Sequence, residues 1–267
     1  MAITTLQAAI SGVLPSRPIC KINLNSASAI PPRCTFSNGG FPGSGSISTA
    51  TNGAVLTNTS PGALPFNNPA TGQNTYLANI KWPASTLDRT IFLVDFLWNK
   101  QINNTSILPQ SIDSIPFPAR DRNGTSNGDG VYIGVYSFSS NGTQTAIKIS
   151  YTNSVGVSGK EGNLVWQSTP NGGVFMPFSL DSGDLGVRSV QSVTLSASAG
   201  SASLALVAFR PVASINGYSS KTLEPIGNVI SLGFPRIYDG SYLTFLYHAV
   251  VAGISGTVFG TVDYTQG

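Results

Sequence analysis

From about residue 76 onward, polar and apolar residues alternate with a period of two, the spacing that sends one face of a β-strand into a core. The cleanest stretch is Ala146 to Thr152, where Ile147, Ile149 and Tyr151 share one face and Lys148, Ser150 and Thr152 the other. Val190 to Ala197 repeats the pattern, with Val193 and Leu195 inward and Ser192 and Thr194 outward. Ile91 to Trp98 is apolar on both faces, which marks a strand buried between layers. Val131 to Phe138, Leu204 to Phe209, Leu243 to Val250 and Thr257 to Tyr264 read as further strands. Turn pairs punctuate these runs: Asn123-Gly124, Asp129-Gly130, Asn141-Gly142, Asn171-Gly172 and Asp239-Gly240. About eight or nine strands separated by tight turns predict an all-β fold, an antiparallel β-sandwich of jelly-roll-like form. No internal repeat is visible.

The first 75 residues follow a different pattern. Leu6, Ile10, Val13 and Leu14 fall at helical spacing, and Pro15 closes the run. From 15 to 75 Gly, Ser, Thr, Asn and Pro dominate, with brief apolar runs at Ile22–Leu24 and Ala54–Leu56. Such a stretch is long for a free loop. It predicts an extended Gly/Ser/Pro-rich arm over 1–75 with few short strands, lying largely on a neighbouring surface, and a β-sandwich domain over 76–267.

Composition changes the picture at the surface. Charged residues make up 9% of the 267-residue chain, far below the roughly 25% of an ordinary globular domain. A surface this poor in charge suits a protein that lives in an assembly. The net charge of +3 is spread thinly, without basic runs interleaved with aromatics, so no nucleic-acid partner is expected. No window reaches transmembrane length, so no membrane partner is expected either. Met1 to Leu14 lacks a basic start and a continuous apolar core, which predicts a chain made in a cytoplasm without a secretory signal. Cys20 and Cys34 match no metal or redox spacing and read as plain thiols, with a disulfide left open.

Candidate chemistry is sparse. The one histidine, His248, sits in a strand-like run with no second histidine to share a metal or a nucleophile, and reads as a half-buried strand residue. Glu161 and Glu224 lie in loop-like sequence, and nothing marks them as a glycosidase pair. Asp95 interrupts the apolar run Ile91–Trp98, and a buried acid needs a partner, so an arginine or a subunit contact is expected. Asp121, Asn123 and Asp129 supply calcium-type oxygens in a turn-rich loop, but the spacing does not fit an EF-hand. No phosphate-binding glycine loop, nucleophile elbow or paired-cysteine motif occurs. The sequence therefore assigns no catalytic residue, no metal and no cofactor.

Three stretches share a further likeness: Pro118-Ala-Arg-Asp-Arg-Asn-Gly-Thr-Ser-Asn-Gly-Asp-Gly130, Ser182-Gly-Asp-Leu-Gly-Val-Arg-Ser-Val-Gln-Ser192 and Gly233-Phe-Pro-Arg-Ile-Tyr-Asp-Gly240. With the closing Thr261-Val-Asp-Tyr-Thr-Gln-Gly267, they resemble virion structural proteins of tailed bacteriophages over 76–267. The resemblance implies a virion component assembled in the host cytoplasm. Capsid decoration (cement) proteins of this kind are jelly-roll sandwiches that stabilise the head, often as trimers. It thus implies a homo-oligomer, with the trimer favoured, and contacts with the major capsid protein or other virion proteins. The alternative is a collar, tail or baseplate component with a receptor- or carbohydrate-binding role. No site residue carries over from the family. Because charges are few, those in the three stretches are expected at subunit or capsid interfaces: Arg120, Asp121, Arg122, Arg188, Arg236 and Asp239.

Overall fold

The computed structural model describes residues 3–25, 32–82, 89–139, 143–168, 172–201, 203–217, 226–249 and 255–267. The Asn141-Gly142 turn, Asn171, Glu224 and Val250 lie outside the described residues. One helix, α1 (Leu6–Ser11), precedes ten long strands: β1 (Arg17–Asn25), β2 (Thr75–Lys81), β3 (Arg89–Gln101), β4 (Tyr132–Ser137), β5 (Thr145–Asn153), β6 (Lys160–Trp166), β7 (Val187–Leu195), β8 (Leu204–Gly217), β9 (Leu243–Ala249) and β10 (Ser255–Gln266). Short strands and a single helical turn at Val229–Leu232 fill the connections.

All described pairings within the sheets are antiparallel, and the chain is a β-sandwich. β3 and β8, 13 and 14 residues long, pair along their whole length. They form the spine of a seven-stranded sheet ordered Phe175–Pro177, β4, β8, β3, β9, Arg33–Cys34, with Ala54–Val55 added beside β3. The opposing layer is divided. Over one end lies a six-stranded sheet built on β2, β10 and β1; over the other lies a four-stranded sheet of β6, β5, β7 and Gln110–Ser111.

Side-chain alternation along β3 explains the division. Ile91 and Leu93 face the six-stranded sheet and pack with Ile80, Phe245 and Val262. Leu97 and Trp98 face the four-stranded sheet and pack with Val131, Ile149 and Val193. Val94 and Phe96 point to the opposite face, with Phe36, Phe209 and Tyr242. Pairing steps from Ala208↔Trp98 to Phe209↔Phe96, so Leu97 is the extra residue of a β-bulge. That bulge lets Leu97 and Trp98 enter the same core. A second shift leaves Val212 unpaired next to Pro211, the position in a strand where a missing N–H is tolerated.

The boundary expected at 75/76 does not divide the molecule. β1 pairs with β10 in the six-stranded sheet, and Phe36, Leu56, Leu64 and Phe66 are buried in its cores. In place of an arm over a neighbour, residues 17–25 and 32–75 complete their own sandwich. The strand was hidden because Lys21 reads as polar, yet it is 2% exposed. Its ammonium donates to the carbonyls of Asn38 (3.2 Å), Pro42 (2.7 Å) and Gly43 (3.1 Å), which satisfy it without a counter-ion. Burial pulls its pKa down to about 8.

The helix expected at the start is present but short. Thr5 caps it, its hydroxyl accepting from the Ala8 amide at 3.1 Å. Among its residues Ala9 alone is buried.

Candidate assembly surface

The stretches 118–130, 182–192 and 233–240 converge on one region, held by an ion cluster between the two inner cores. Asp95 sits on the inward face of β3 between Leu93 and Leu97, opposite Arg210 of β8 and Leu243 of β9. Its carboxylate lies 3.7 Å from Arg120 Nε and 3.8 Å from an Arg210 Nη. It also accepts from Ser241 Oγ at 2.6 Å and from the Tyr242 amide at 2.9 Å. The arginine expected as its partner is thus two arginines, from a loop and from the neighbouring strand. Burial lowers the pKa of both guanidiniums and Asp95 opposes the shift; arginine remains protonated throughout.

Arg120 does more than neutralise Asp95. It donates to the carbonyls of Leu56 (2.8 Å) and Phe96 (3.3 Å) and to that of Gly240. One side chain therefore ties the loop 118–130 to the spine and to the turn at Asp239-Gly240. Arg210 extends the tie, donating to the Arg236 carbonyl at 3.4 Å and lying 5.1 Å over the Tyr238 ring. Arg236 covers the same ring at 4.8 Å, and Tyr238 Oη donates to the Arg122 carbonyl at 2.9 Å.

Asp121 organises the loop itself. Oδ1 accepts from the amides of Asn123 (2.9 Å) and Thr125 (2.7 Å), and Oδ2 from Thr125 Oγ1 (2.6 Å) and the amides of Gly128 (3.1 Å) and Asp129 (3.3 Å). Burial alone would raise this carboxyl, but the donors outweigh it and hold its pKa below the usual carboxylate value. Both oxygens of Asp121 are thus engaged by donors, and Asp129 Oδ2 accepts from Asn123 Nδ2 at 2.9 Å. Among the described residues, no group of three or more His, Cys, Asp or Glu is placed to hold a metal ion.

The stretch 182–192 joins this loop edge to edge. Asp129 bridges Gly186, the Gly130 amide donates to Leu185 O at 3.0 Å, and Arg188 donates to Asn127 Oδ1. The structure therefore divides the expected interface residues in two. Arg120 and Asp121 are buried and spend their charge inside the chain, where they set the shape of the loops. Arg122, Arg236 and Asp239 are exposed, and Arg188 is half-buried, around the rim of the cluster. Val155, Val157 and Leu185 stand exposed beside that rim.

Sequence reasoning missed Arg210 and the apolar surface. On the face of the seven-stranded sheet away from both inner cores, a groove of about 330 Å³ is lined entirely by apolar side chains, among them Phe92, Val94, Phe175, Pro177, Phe209 and Leu246. The signal was present in β3: a strand apolar on both faces needs cover on both, and cover over this end is incomplete. His248 is a half-buried strand residue opposite Thr90. Cys34 is buried with its thiol pushed up to about 12, Cys20 is partly exposed, and both are free.

No protein-family model matches the chain, and no curated protein matches it. Two solved structures align over 95% of its length: the crystal structure of the infectious bursal disease virus VP2 subviral particle, and a structure of the Gx strain of that virus. The first is 13% identical with 80% of its chain covered and a TM-score of 0.19; the second is 13% identical with 81% covered and a TM-score of 0.18. Scores this low carry no inference about this chain.

Proposed function

We propose that the chain is a structural component of a virus particle, and that in a tailed-phage virion it serves as a capsid decoration protein, stabilising the head through subunit contacts. The observation that supports this reading is a surface poor in charge that carries many large apolar side chains. Asp95, Arg120, Asp121 and Arg210 take scarce charge inside, while 13 large apolar side chains stand exposed, from Leu6 to Phe259. A free-living domain keeps charge outside and contiguous apolar surface small. Exposed apolar side chains become interface once copies and neighbours cover them. The partners proposed are further copies, as a trimer, and the major capsid protein.

Purified particles provide the test. Mass spectrometry is expected to find the chain in fixed proportion to the major capsid protein, and particles stripped of it are expected to lose heat resistance. A few copies per particle would move the assignment to collar, tail or baseplate. Absence from particles would overturn the virion reading. At the rim, Arg236→Ala is expected to weaken attachment to the particle while the free protein melts within a few degrees of wild type.

A further inference from the structure

We infer that residues 32–34 form a strap that closes the seven-stranded sheet into a barrel, and that the strap opens reversibly while the rest of the chain stays folded. The inference concerns the motion of a single copy and does not rest on the virion role.

The two ends of the sheet meet. Phe175–Pro177 pairs with β4 at one end of the strand order, and Arg33–Cys34 pairs with β9 at the other. Arg33 also bridges Val174. Across that bridge the Cys34 amide donates to Gly173 O and the Phe175 amide to Pro32 O, both at 2.8 Å. The ring β4, β8, β3, β9, 32–34 and 173–177 is therefore complete, and closure removes the sheet edge at this seam. Its inside is the core of Phe36, Val94, Phe96, Tyr136 and Phe175, and Cys34 belongs to it. Side chains alternate along a strand, so Arg33 points the other way, as does Tyr247 opposite it.

The seam is a weak joint, and its anchoring decides which side parts. Among the described residues two backbone hydrogen bonds span it, whereas β3 and β8 pair along their whole length. Toward β9 the strap is held further by Thr35, whose Oγ1 accepts from the Phe245 amide at 3.3 Å and lies 3.2 Å from Thr244 Oγ1. Opening therefore swings 32–34 away from 173–175 and leaves it attached to β9.

Arg33 biases the strap toward opening. The residue is 4% exposed. One Nη donates to Gly172 O at 2.9 Å, but Nε and the other Nη are buried without a partner. Among the described residues no carboxylate lies within ion-pair distance of it. The contrast with Lys21, met by three carbonyls, and with Arg120 is plain. A guanidinium kept from water with donors unmet raises the free energy of the closed state. Parting the seam gives up two backbone hydrogen bonds and the one to Gly172, which water replaces at small net cost, and hydrates the unmet donors.

Cys34 reports the opening. Alkylation needs a thiolate, and the closed strap buries this thiol and pushes it up to about 12, so the residue reacts from the open form. In a Cys20→Ser background, which removes the other free thiol, iodoacetamide labelling of Cys34 is followed by mass spectrometry against urea concentration. Labelling without urea is expected to run at least about tenfold faster than global unfolding allows, with a shallower urea dependence because a local opening exposes little surface. Labelling that matches global unfolding in rate and slope overturns the inference. Native-state hydrogen exchange gives an independent reading: the Cys34 and Phe175 amides are expected to exchange well before those between β3 and β8, and equal protection overturns it too. Arg33→Met keeps an apolar stem and removes the charge, and is expected to slow Cys34 labelling at least about tenfold. Arg33→Gln is the second variant should Arg33→Met misfold, with the same direction expected. An unchanged or faster rate would make Arg33 a clasp and overturn its assigned role. None of these results bears on whether the chain is found in particles, so the two proposals fail separately.

Discussion

Asp95 is buried in an apolar strand, and its surroundings show which force dominates there. An isolated carboxylate in such a place would cost several kcal/mol, so it is met by two guanidiniums, a hydroxyl and an amide. Arg120→Ala leaves the carboxylate with Arg210 but removes the donor to three carbonyls, and is expected to cost about 3–5 kcal/mol, read as a lower urea midpoint. Arg120→Lys is expected to recover only part of that, because an ammonium cannot span carbonyls on separate segments as the fork does. Asp121 gives a pH dependence. Its folded pKa is depressed, so its contribution is fully present above the unfolded value of about 3.9 and is lost as pH falls through the lower folded value. Stability is therefore expected to drop below about pH 4, and Asp121→Asn, already weaker at neutral pH, is expected to show a shallower acid limb. At this scale the sequence revealed need without identity. A lone acid in Ile91–Trp98 required a cation, but nothing local could say that Arg210 lies across the sheet and Arg120 on a loop.

Among the elements, the loop 118–130 depends on a backbone shape that side chains forbid. Gly128 has φ of +85°, and a Cβ there would lie 2.1 Å from the Val187 carbonyl oxygen. Gly128→Ala meets both strain and backbone clash. It is expected to lower stability by more than about 1–2 kcal/mol and to part the loop from β7. Hydrogen exchange would show the change as faster exchange at the Gly130 and Val187 amides, whose acceptors are Leu185 O and Val131 O. Strands β5 and β7 were legible because one of their faces is cleanly apolar. β6 was not, although it alternates: Gly162, Leu164 and Trp166 are buried while Glu161, Asn163 and Val165 are exposed. A glycine inside and a valine outside erase the contrast that periodicity needs. β1 was lost for a related reason, a lysine on the inward face.

For the molecule as a whole, the question is whether two inner cores make one cooperative unit. Trp82 is buried under the six-stranded sheet against Phe245, with ring centroids 4.6 Å apart, while Trp98 and Trp166 are buried under the four-stranded sheet. Domains of this size often unfold through intermediates, and a divided second layer invites that expectation. The spine argues otherwise. β3 and β8 run through both cores, and the Asp95 cluster lies at their junction, so unravelling either end strips the other of its shared strands. Single-tryptophan variants, with the remaining tryptophans replaced by phenylalanine, separate the possibilities: Trp82 and Trp166 fluorescence are expected to melt at the same urea concentration. Leu93→Ala and Leu97→Ala, one in each core, are each expected to cost about 2–5 kcal/mol and to move both reporters together. Separate transitions would mean that the spine is too weak to couple the halves.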